Sequence, residues 1–339
     1  MPVEVELFDD LDAVERDAAG ALDRGACVSL FDRLAWFRLI ERHAPPAGRL
    51  LALRASAAGA KAWMLLVLNG NRARAYANWY SLRYSAIGCH GAVGADAIGA
   101  LAAALRRHRP AIGGIELYPL AASDPLPRTF RAAGWLTFTR PASVSWQIDT
   151  EGMDFDAYWA TRSSRLRNTA KRKAKAAALD IAIHRRFDAA AWADYERVYQ
   201  ASWKPAEGSA AFLRALAEQE GEAGTLRLGI AKRDGEAIAA QLWLVENEVA
   251  TIHKLAYAEA ARELSPGTVL SVEMFRHALD VDQVRCVDFG TGDDGYKADW
   301  MERSEPLLMM QAFNPSTIAG LAAAARAGAS TLVRALRSH

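Results

Sequence analysis

A hairpin pattern in the second half of the sequence constrains the fold more than any other feature. Two strand-length apolar stretches, 226–232 (LRLGIAK) and 238–245 (IAAQLWLV), flank the pair Asp234-Gly235. An Asp-Gly pair between such stretches is a strong signal for a tight turn between antiparallel strands. The sequence therefore predicts a β-hairpin at this point.

The elements around this hairpin follow an order that the first half of the chain repeats. In the second half, helices are expected at 189–202 and 268–279, and further strands at 250–257, 284–289 and 307–313. In the first half, strands are expected at 50–54, 62–68, 74–81 and 114–117, and a helix at 96–107. The predicted fold class is α/β, with two copies of one topology, each a mixed central sheet flanked by helices.

The chain of 339 residues is long enough for two domains of ordinary size. A boundary is expected near 145–153, where the strand-like SWQI meets DTEGMD. The predicted parts are an N-terminal domain at 1–149, a second domain at 150–315, and a basic amphipathic helix at 316–339.

Composition excludes several classes of protein. A net charge of +1 does not suit a chain built as a whole for nucleic acid. The three cysteines form no C-x-x-C pair, so neither a disulfide framework nor a zinc site is expected. The acidic N-terminus resembles no signal sequence, and no apolar run reaches the length of a membrane span. The expected location is the cytoplasm.

Two basic segments each allow two interpretations. Residues 162–175 carry seven Lys or Arg and no acid, which fits a solvated helix or a surface for phosphates. From 306 to the end no acidic residue occurs, and one helical face carries Ile318, Leu321, Ala325, Leu332 and Leu336. That helix either packs on the protein or makes a peripheral contact with the inner membrane.

A glycine-rich stretch at 287–300, VDFGTGDDGYKADW, contains the pattern G-x-G-x-x-G. A dinucleotide site is not expected, because Asp293 and Asp294 would repel a pyrophosphate and no ribose-binding strand follows. The spacing also fails for a calcium loop, so no metal is predicted. The stretch is interpreted as a substrate-binding loop after a strand, the alternative being a tight turn that its aspartates cap.

A second stretch, Ser265-Pro-Gly-Thr268, predicts the start of a helix. Ser265 suits the N-cap, and proline suits the first helical position. Gly267 and Thr268 would then offer backbone N–H groups at the positive end of the helix dipole. Such a helix start can bind a phosphate.

Together these parts resemble a known family. Residues 155–312 look like the GNAT-like acetyltransferase domain of CelD-like proteins, which is related to the Fem-type peptidyltransferases. The first half resembles the degenerate first copy of tandem GNAT proteins. A further similarity is to the bacterial ceramide synthase-like N-acyltransferases, which act on a sphingoid amine. The motifs that carry the resemblance are SWKP (202–205), AAQLW (239–243), HKLAY (253–257), SPGT (265–268), DFGTGDDGYKADW (288–300) and, in the first half, NWYS (78–81).

The resemblance implies transfer of an acyl group from acyl-CoA to a primary amine of a lipid or cell-envelope precursor. It places the donor on Ser265, Gly267 and Thr268, and the basic segment with Arg162 and Arg165 would supply further positive charge for it. The family's phosphate loop reads [RQ]-x-x-G-x-[GA], whereas this chain has one glycine there. The donor therefore stays open between acyl-CoA, an acyl carrier protein and an aminoacyl-tRNA. Nucleic acid is a partner only in the last case.

Three residues are the predicted catalytic groups. His253 would accept the proton of the attacking amine, because histidine titrates near neutral pH. Asp293 would bind the ammonium, and Lys297 would stabilise the developing oxyanion. The predicted substrate-binding residues are Trp203, Lys204, Tyr257, Asp288, Tyr296 and Trp300.

Two other functions remain open from the sequence. The first is a Fem-type transferase that uses aminoacyl-tRNA, and the second is a non-catalytic scaffold that binds an anionic glycan or lipid. Trp243 is expected in the core.

Overall fold

The computed structural model describes residues 3–57, 60–88 and 93–337. Its strands are β1 Glu4–Phe8, β2 Arg49–Ala57, β3 Ala60–Asn69, β4 Arg72–Ala75, β5 Ile87–Gly88, β6 Gly114–Ala121, β7 Leu136–Asp149, β8 Asp180–His184, β9 Leu226–Arg233, β10 Glu236–Glu246, β11 Val249–Tyr257, β12 Cys286–Thr291 and β13 Arg303–Phe313. Its α-helices are α1 Leu11–Ala18, α2 Leu34–His43, α3 Ala95–Arg107, α4 Leu126–Ala132, α5 Phe155–Thr161, α6 Ser164–Ala177, α7 Ala189–Gln200, α8 Ala210–Glu222, α9 Pro266–Arg276 and α10 Ile318–Arg337.

The chain forms two compact units. Unit 1 contains Met1–Ser143 and Pro306–His339, and unit 2 contains Val144–Glu305. In unit 1 the strand order is β1-β2-β3-β4-β6-β13, and in unit 2 it is β8-β9-β10-β11-β12-β7. The domain limits predicted from the sequence remain a prediction, because compactness does not test which parts fold separately.

The two units share one topology, which confirms the predicted α/β class with mixed sheets. In each unit one adjacent pair is parallel, β4 with β6 and β11 with β12, and each pair has three residues in register. The neighbouring strand on the far side is antiparallel, β13 in unit 1 and β7 in unit 2. In unit 1 this strand is β13, the last strand of the chain, and in unit 2 it is β7, which precedes β8. The sequence did not predict these two pairings.

A half-buried pair of side chains marks the same position in both units. The Gln147 amide on β7 donates to Asp288 Oδ2 at 3.2 Å, and the two residues are partners in the antiparallel register. The Gln311 amide on β13 donates to Glu116 Oε2 at 3.0 Å, again between register partners. In each unit the carboxylate lies on the last residue of the parallel pairing.

Several sequence expectations differ from the structure. The expected strand at 74–81 ends at Ala75, and NWYS forms a turn in which the Asn78 side chain accepts from the Tyr80 amide at 3.0 Å. A short polar side chain that bonds the backbone two residues on favours such a turn over a strand. Helix α8 was missed, and so was the length of β7, which begins at Leu136.

Helix α10 is present, but it buries a different face from the one the sequence suggested. Ala323 and Ala324 pack against Phe313 with Phe138 nearby, whereas Ile318 is 89% exposed and Leu321 is 50% exposed. Small residues allow the helix to approach the sheet closely, so the larger apolar side chains point elsewhere. The side chains from 330 onward, including Leu332 and Leu336, lie outside the described residues.

Unit 1 fills the space beside its parallel pair with its own chain. Tyr84 is buried, its amide donates to the Pro119 carbonyl of β6 at 2.7 Å, and its hydroxyl donates to the Leu65 carbonyl of β3 at 2.9 Å. These bonds hold the segment before β5 between strands β3 and β6. In unit 1 the chain around Tyr84 therefore occupies the space between these two strands.

We expect Tyr84→Ala to lower the free energy of unfolding by about 3 kcal/mol or more, because it leaves a cavity in the core. Tyr84→Phe should cost about 1 kcal/mol, since it removes only the hydroxyl bond to Leu65. Urea unfolding followed by circular dichroism measures both. Equal losses for the two variants would show that the ring does not fill the space.

Candidate active site

In unit 2 the parallel strands β11 and β12 separate after a short stretch. Val249–Thr251 pair in register with Cys286–Asp288, and β12 then pairs onward with β7 through Thr291 and Ser145. Over the described residues, β11 from Ile252 to Tyr257 keeps its pairing with β10 alone. The C-terminal half of β11 therefore presents a backbone edge toward an opening beside β12.

His253 lies in the separated half of β11, at an irregularity of the sheet. Leu242 pairs with Lys254 and Trp243 with Ile252, so His253 is the extra residue of a β-bulge. The bulge changes which alternate residues face the core, because Ala250 and Ile252 face it before the bulge and Leu255 and Tyr257 face it afterwards. Bulges of this kind often re-aim a side chain beside an active site. The imidazole is 8% exposed.

Helix α9 starts beside the end of β11, with a geometry that differs from the expected cap. Ser265 is the N-cap residue, but its φ is 50° and its side chain makes no capping hydrogen bond. Its carbonyl accepts from the amides of Thr268 at 3.0 Å and Val269 at 3.2 Å. The Thr268 N–H is therefore bonded within the chain, contrary to the expectation that it is free for a phosphate.

Gly267 is required by a close approach at the same helix start. A Cβ atom added there would lie 3.1 Å from the ring of Tyr257, tighter than an ordinary carbon contact. Tyr257 in turn contacts the Trp203 ring, with centroids 4.3 Å apart. The aromatic residues of the motifs SWKP and HKLAY thus meet over the first turn of α9.

A buried polar chain fixes α9 to the sheet. The Trp243 indole donates to Gln241 Oε1 at 2.9 Å, and Gln241 Nε2 donates to Ser271 Oγ at 2.8 Å and to the Gly267 carbonyl at 3.2 Å. Gln241 is 1% exposed, so these bonds form away from solvent. Trp243 lies in the core as expected, whereas the positioning role of Gln241 within AAQLW was not foreseen.

Asp288 stabilises the beginning of the glycine loop. Its carboxylate accepts from Ser145 Oγ at 3.0 Å, from Gln147 at 3.2 Å and from the Gly290 amide at 2.8 Å. Burial raises the pKa of Asp288, and these three hydrogen bonds oppose the rise. These contacts hold the backbone at the start of the loop. They agree with the alternative interpretation of the stretch as a tight turn that its aspartates cap. Asp293, farther along the loop, is exposed.

Lys297 reaches back under the same loop. It is 3% exposed, and its ammonium donates to the carbonyl of Thr291 at 3.0 Å and to that of Phe289 at 3.3 Å. Burial lowers the pKa of Lys297, while Asp294, 3.9 Å away, opposes the change. Because an ammonium has three N–H groups, the third can serve the nearby Asp294 carboxylate or a ligand.

The mouth of this opening is aromatic and contains a second lysine. Tyr296 contacts the Phe289 ring at 5.7 Å, and burial followed by Asp294 and Tyr257 raises the pKa of Tyr296. Burial lowers the pKa of Lys204 to about 8, with repulsion from Lys254 as the next cause. The structure therefore brings together Trp203, Lys204, Tyr257, Tyr296 and Lys297.

Three other predicted residues have different positions. Trp300 is in the core, stacked on Phe275 with ring centroids 5.1 Å apart. Arg162 is 6% exposed and donates to the Trp300 carbonyl at 2.9 Å and to Glu302, so its guanidinium holds the chain rather than facing a ligand. Arg165 is exposed and pairs with Asp299 at 3.1 Å.

Neither a metal nor a cysteine nucleophile is favoured. Among the described residues, no three His, Cys, Asp or Glu side chains form a group that could hold a metal ion. Burial raises the pKa of Cys286 to about 11, so its thiol stays protonated at neutral pH.

Comparison with known proteins agrees with this geometry. Residues 160–298 match the family model described as an acetyltransferase (GNAT) domain. This match supports a transferase, and it covers the strands, the helix and the glycine loop that form the opening. No curated protein sequence matches the chain significantly.

Solved structures share the fold over nearly the whole chain at low identity. One is the C-terminal domain of a protein assigned as a lysylphosphatidylglycerol synthetase from Agrobacterium fabrum, with a TM-score of 0.60, 14% identity, and 96% and 97% of the two chains covered. FemX has a TM-score of 0.60, 9% identity, and coverage of 90% and 96%. A tandem GNAT protein from the clavulanic acid biosynthesis pathway has a TM-score of 0.52, 15% identity, and coverage of 91% and 99%. These similarities show that the chain has the fold of tandem GNAT proteins.

We expect Lys204→Met to raise the thermal midpoint at pH 7 by about 2–4 °C, the shift that ~1 kcal/mol gives in a domain of this size. Below pH 8 the native protein bears the full cost of a poorly solvated ammonium, because the folded pKa of about 8 lies under the ordinary 10.5. As the pH rises from about 8 toward 10.5, the native lysine loses its proton first and the wild-type protein recovers stability.

The advantage of Lys204→Met should therefore shrink across that range. Differential scanning fluorimetry at a series of pH values measures it, with Lys175→Met on the exposed side of α6 as the matched control. A difference between Lys204→Met and the wild type that does not change with pH would contradict the assignment.

Proposed function

We propose that the protein transfers an acyl group from acyl-CoA to the primary amine of a lipid or cell-envelope acceptor. The observation that carries this proposal is the separation of β11 from β12 beside the start of α9. An extended donor arm can pair with the exposed backbone edge of β11, as an added strand would. Its phosphates would then lie near the positive end of α9.

The reaction needs an amine lone pair, a proton acceptor and a hydrogen-bond donor that stabilises the oxyanion. The amine nitrogen attacks the thioester carbonyl carbon, the C–N bond forms, and the carbonyl oxygen gains negative charge. The remaining N–H of Lys297 is suited to stabilise that oxygen. The C–S bond then breaks and the thiolate leaves, while His253 takes the proton of the amine and passes it to the sulfur.

The aromatic mouth supports an acceptor with an apolar part. Trp203 is 48% exposed and Tyr296 is 41% exposed, although large apolar surfaces are usually covered. Asp293 and Asp294 lie beside them in the glycine loop and can attract an ammonium group. The lysylphosphatidylglycerol synthetase among the similar structures has a phospholipid in its name, which agrees with a lipid acceptor.

An aminoacyl-tRNA donor is the second candidate, and helix α6 favours it. Lys171, Arg172 and Lys175 are exposed on that helix, which contains no acidic residue. A row of exposed cations suits a nucleic acid backbone. Under this alternative the bond that breaks is the aminoacyl ester, and the roles of His253 and Lys297 are unchanged.

The test is a thermal-shift titration with acetyl-CoA, palmitoyl-CoA and free CoA. A ligand that binds only the folded state raises the midpoint by mass action. We expect a saturable rise that is larger for palmitoyl-CoA than for free CoA. No rise with any of the three would overturn the acyl-CoA donor, and salt-sensitive binding of tRNA would then favour the second candidate.

The variant His253→Ala separates catalysis from binding in the same system. We expect turnover of palmitoyl-CoA with a long-chain amine to fall by about 10²–10⁴-fold, the usual contribution of a proton acceptor. The palmitoyl-CoA thermal shift should stay unchanged. A protein that binds palmitoyl-CoA but shows no turnover before or after the substitution would be a scaffold instead.

Contact with a membrane surface is a further part of the proposal. No helix within the described residues is long and apolar enough to span a bilayer. The exposed Ile318 and Leu321 on α10 could instead lie in the interface, with basic residues of the same helix near the headgroups.

We expect Ile318→Glu/Leu321→Glu to reduce co-sedimentation with anionic vesicles by about tenfold, since each substitution places a charge where an exposed apolar side chain would insert into the bilayer. The matched control is Ala319→Glu with Ala322→Glu, which adds the same charge at exposed positions of the helix beside that face. Equal losses for the two double variants would mean that charge alone, rather than apolar insertion, explains the effect.

A further inference from the structure

Unit 1 contains a cavity of about 470 Å³ that none of the proposed chemistry uses. Residues of β4, β6 and β13, with the end of β3 and the turn that follows it, line this cavity. The polar ones are Asn69, Asn71, Arg72, Arg74, Glu116 and Gln311. Ala73, Ile115 and Ala312 on the same strands belong to the core of unit 1. Because side chains alternate along a strand, the polar residues face away from that core.

The two arginines of this cavity project from the same face of β4. Arg72 and Arg74 are two residues apart and both are exposed. Within the described residues, neither forms an ion pair or a side-chain hydrogen bond, although Arg74 is the register partner of Glu116 on β6. Two guanidinium groups without a protein anion make a site suited to a phosphate, which they can bind in a bidentate manner.

Glu116 gives the cavity an acceptor next to these cations. In unit 2 the corresponding Asp288 accepts three hydrogen bonds, from Ser145, Gln147 and the Gly290 amide. Glu116 accepts one in the described structure, from Gln311 at 3.0 Å. A carboxylate has about four acceptor positions. Glu116 is therefore oriented by Gln311 and keeps the capacity to accept from a ligand.

We propose that this cavity binds a phosphorylated amine, with the phosphate on Arg72 and Arg74 and the ammonium on Glu116. The volume lies within the range of small-molecule sites. Asn69 and Asn71 at the edge add amide groups that can bond either end of the ligand. The same chemistry occurs in a soluble phosphorylated amine and in an aminophospholipid headgroup.

The first experiment is isothermal titration calorimetry of the full chain with phosphoethanolamine. We expect saturable binding that weakens at least about tenfold in Arg72→Gln/Arg74→Gln, because two charge-assisted contacts are lost. Arg42→Gln, an exposed arginine on α2 outside the cavity, is the matched control and should bind as the wild type does. Arg72→Lys keeps the positive charge without the planar guanidinium group, and it should reduce the affinity for phosphoethanolamine less than the double variant does.

A second probe separates the two halves of the site. Glu116→Gln should weaken phosphoethanolamine binding about tenfold while inorganic phosphate binds as well as before, since only the amine needs the carboxylate. No saturable binding of phosphoethanolamine by the wild type, or equal affinity in the double arginine variant, would overturn the proposal.

Vesicles identify the source of the ligand. Co-sedimentation with phosphatidylethanolamine vesicles that exceeds co-sedimentation with phosphatidylcholine vesicles, and that falls in the double arginine variant, would assign a lipid headgroup. Binding of phosphoethanolamine without this preference would assign a soluble phosphorylated amine. Both readouts are independent of turnover, so they hold or fail separately from the transferase proposal.

Discussion

The hydrogen bonds to the Asp288 carboxylate are the constraint on which the rest of the candidate site depends. They draw β12 toward β7, through Ser145 and Gln147, at the residue where the pairing with β11 ends. An edge of β11 is left exposed as a result. A buried carboxylate that lost these donors would be costly, so the separation of the strands is held by electrostatics as well as by packing.

Two lysines lie near the opening, and one of them depends on the same arrangement. Lys297 lies beneath the loop that Asp288 organises and bonds the carbonyls of Phe289 and Thr291 at the end of β12. Lys204 lies in the SWKP segment, where burial and neighbouring cations lower its pKa to about 8. A poorly solvated ammonium group is stabilised by a nearby anion, and otherwise it loses its proton more readily. An opening lined in this way suits a reaction in which negative charge develops on an oxygen.

The two copies of one topology differ in the space beside their parallel strands. Both copies keep the short parallel pairing and the glutamine that bonds the acid. In unit 1, Tyr84 and its hydrogen bonds fill the space that is open beside β12 in unit 2. Its polar residues gather instead on the sheet face around Glu116. One fold therefore carries an opening in one copy and a charged cavity in the other.

The sequence by itself determined the elements and their order, because these depend on local chemistry. The Asp234-Gly235 hairpin, helix α9 and the loop of 287–300 are all where turn preferences and apolar spacing placed them. It also grouped Trp203, Tyr257, Tyr296 and Lys297 as candidates, since their motifs resemble one family. The prediction from the sequence failed for Ser265, whose side chain does not cap α9. The close packing of Tyr257 on Gly267 determines the backbone conformation there.

Only the tertiary structure decided which polar residues face a ligand and which hold the chain. The sequence predicted Arg162 and Trp300 as site residues. In the structure the Arg162 guanidinium donates a hydrogen bond to the Trp300 carbonyl, and the Trp300 indole stacks in the core. Gln241, Gln147 and Gln311 gave no local signal, because the groups they bond lie on other strands or on a helix. Whether a charge is free or bonded depends on neighbours distant in the chain, and spacing along one segment does not contain that information.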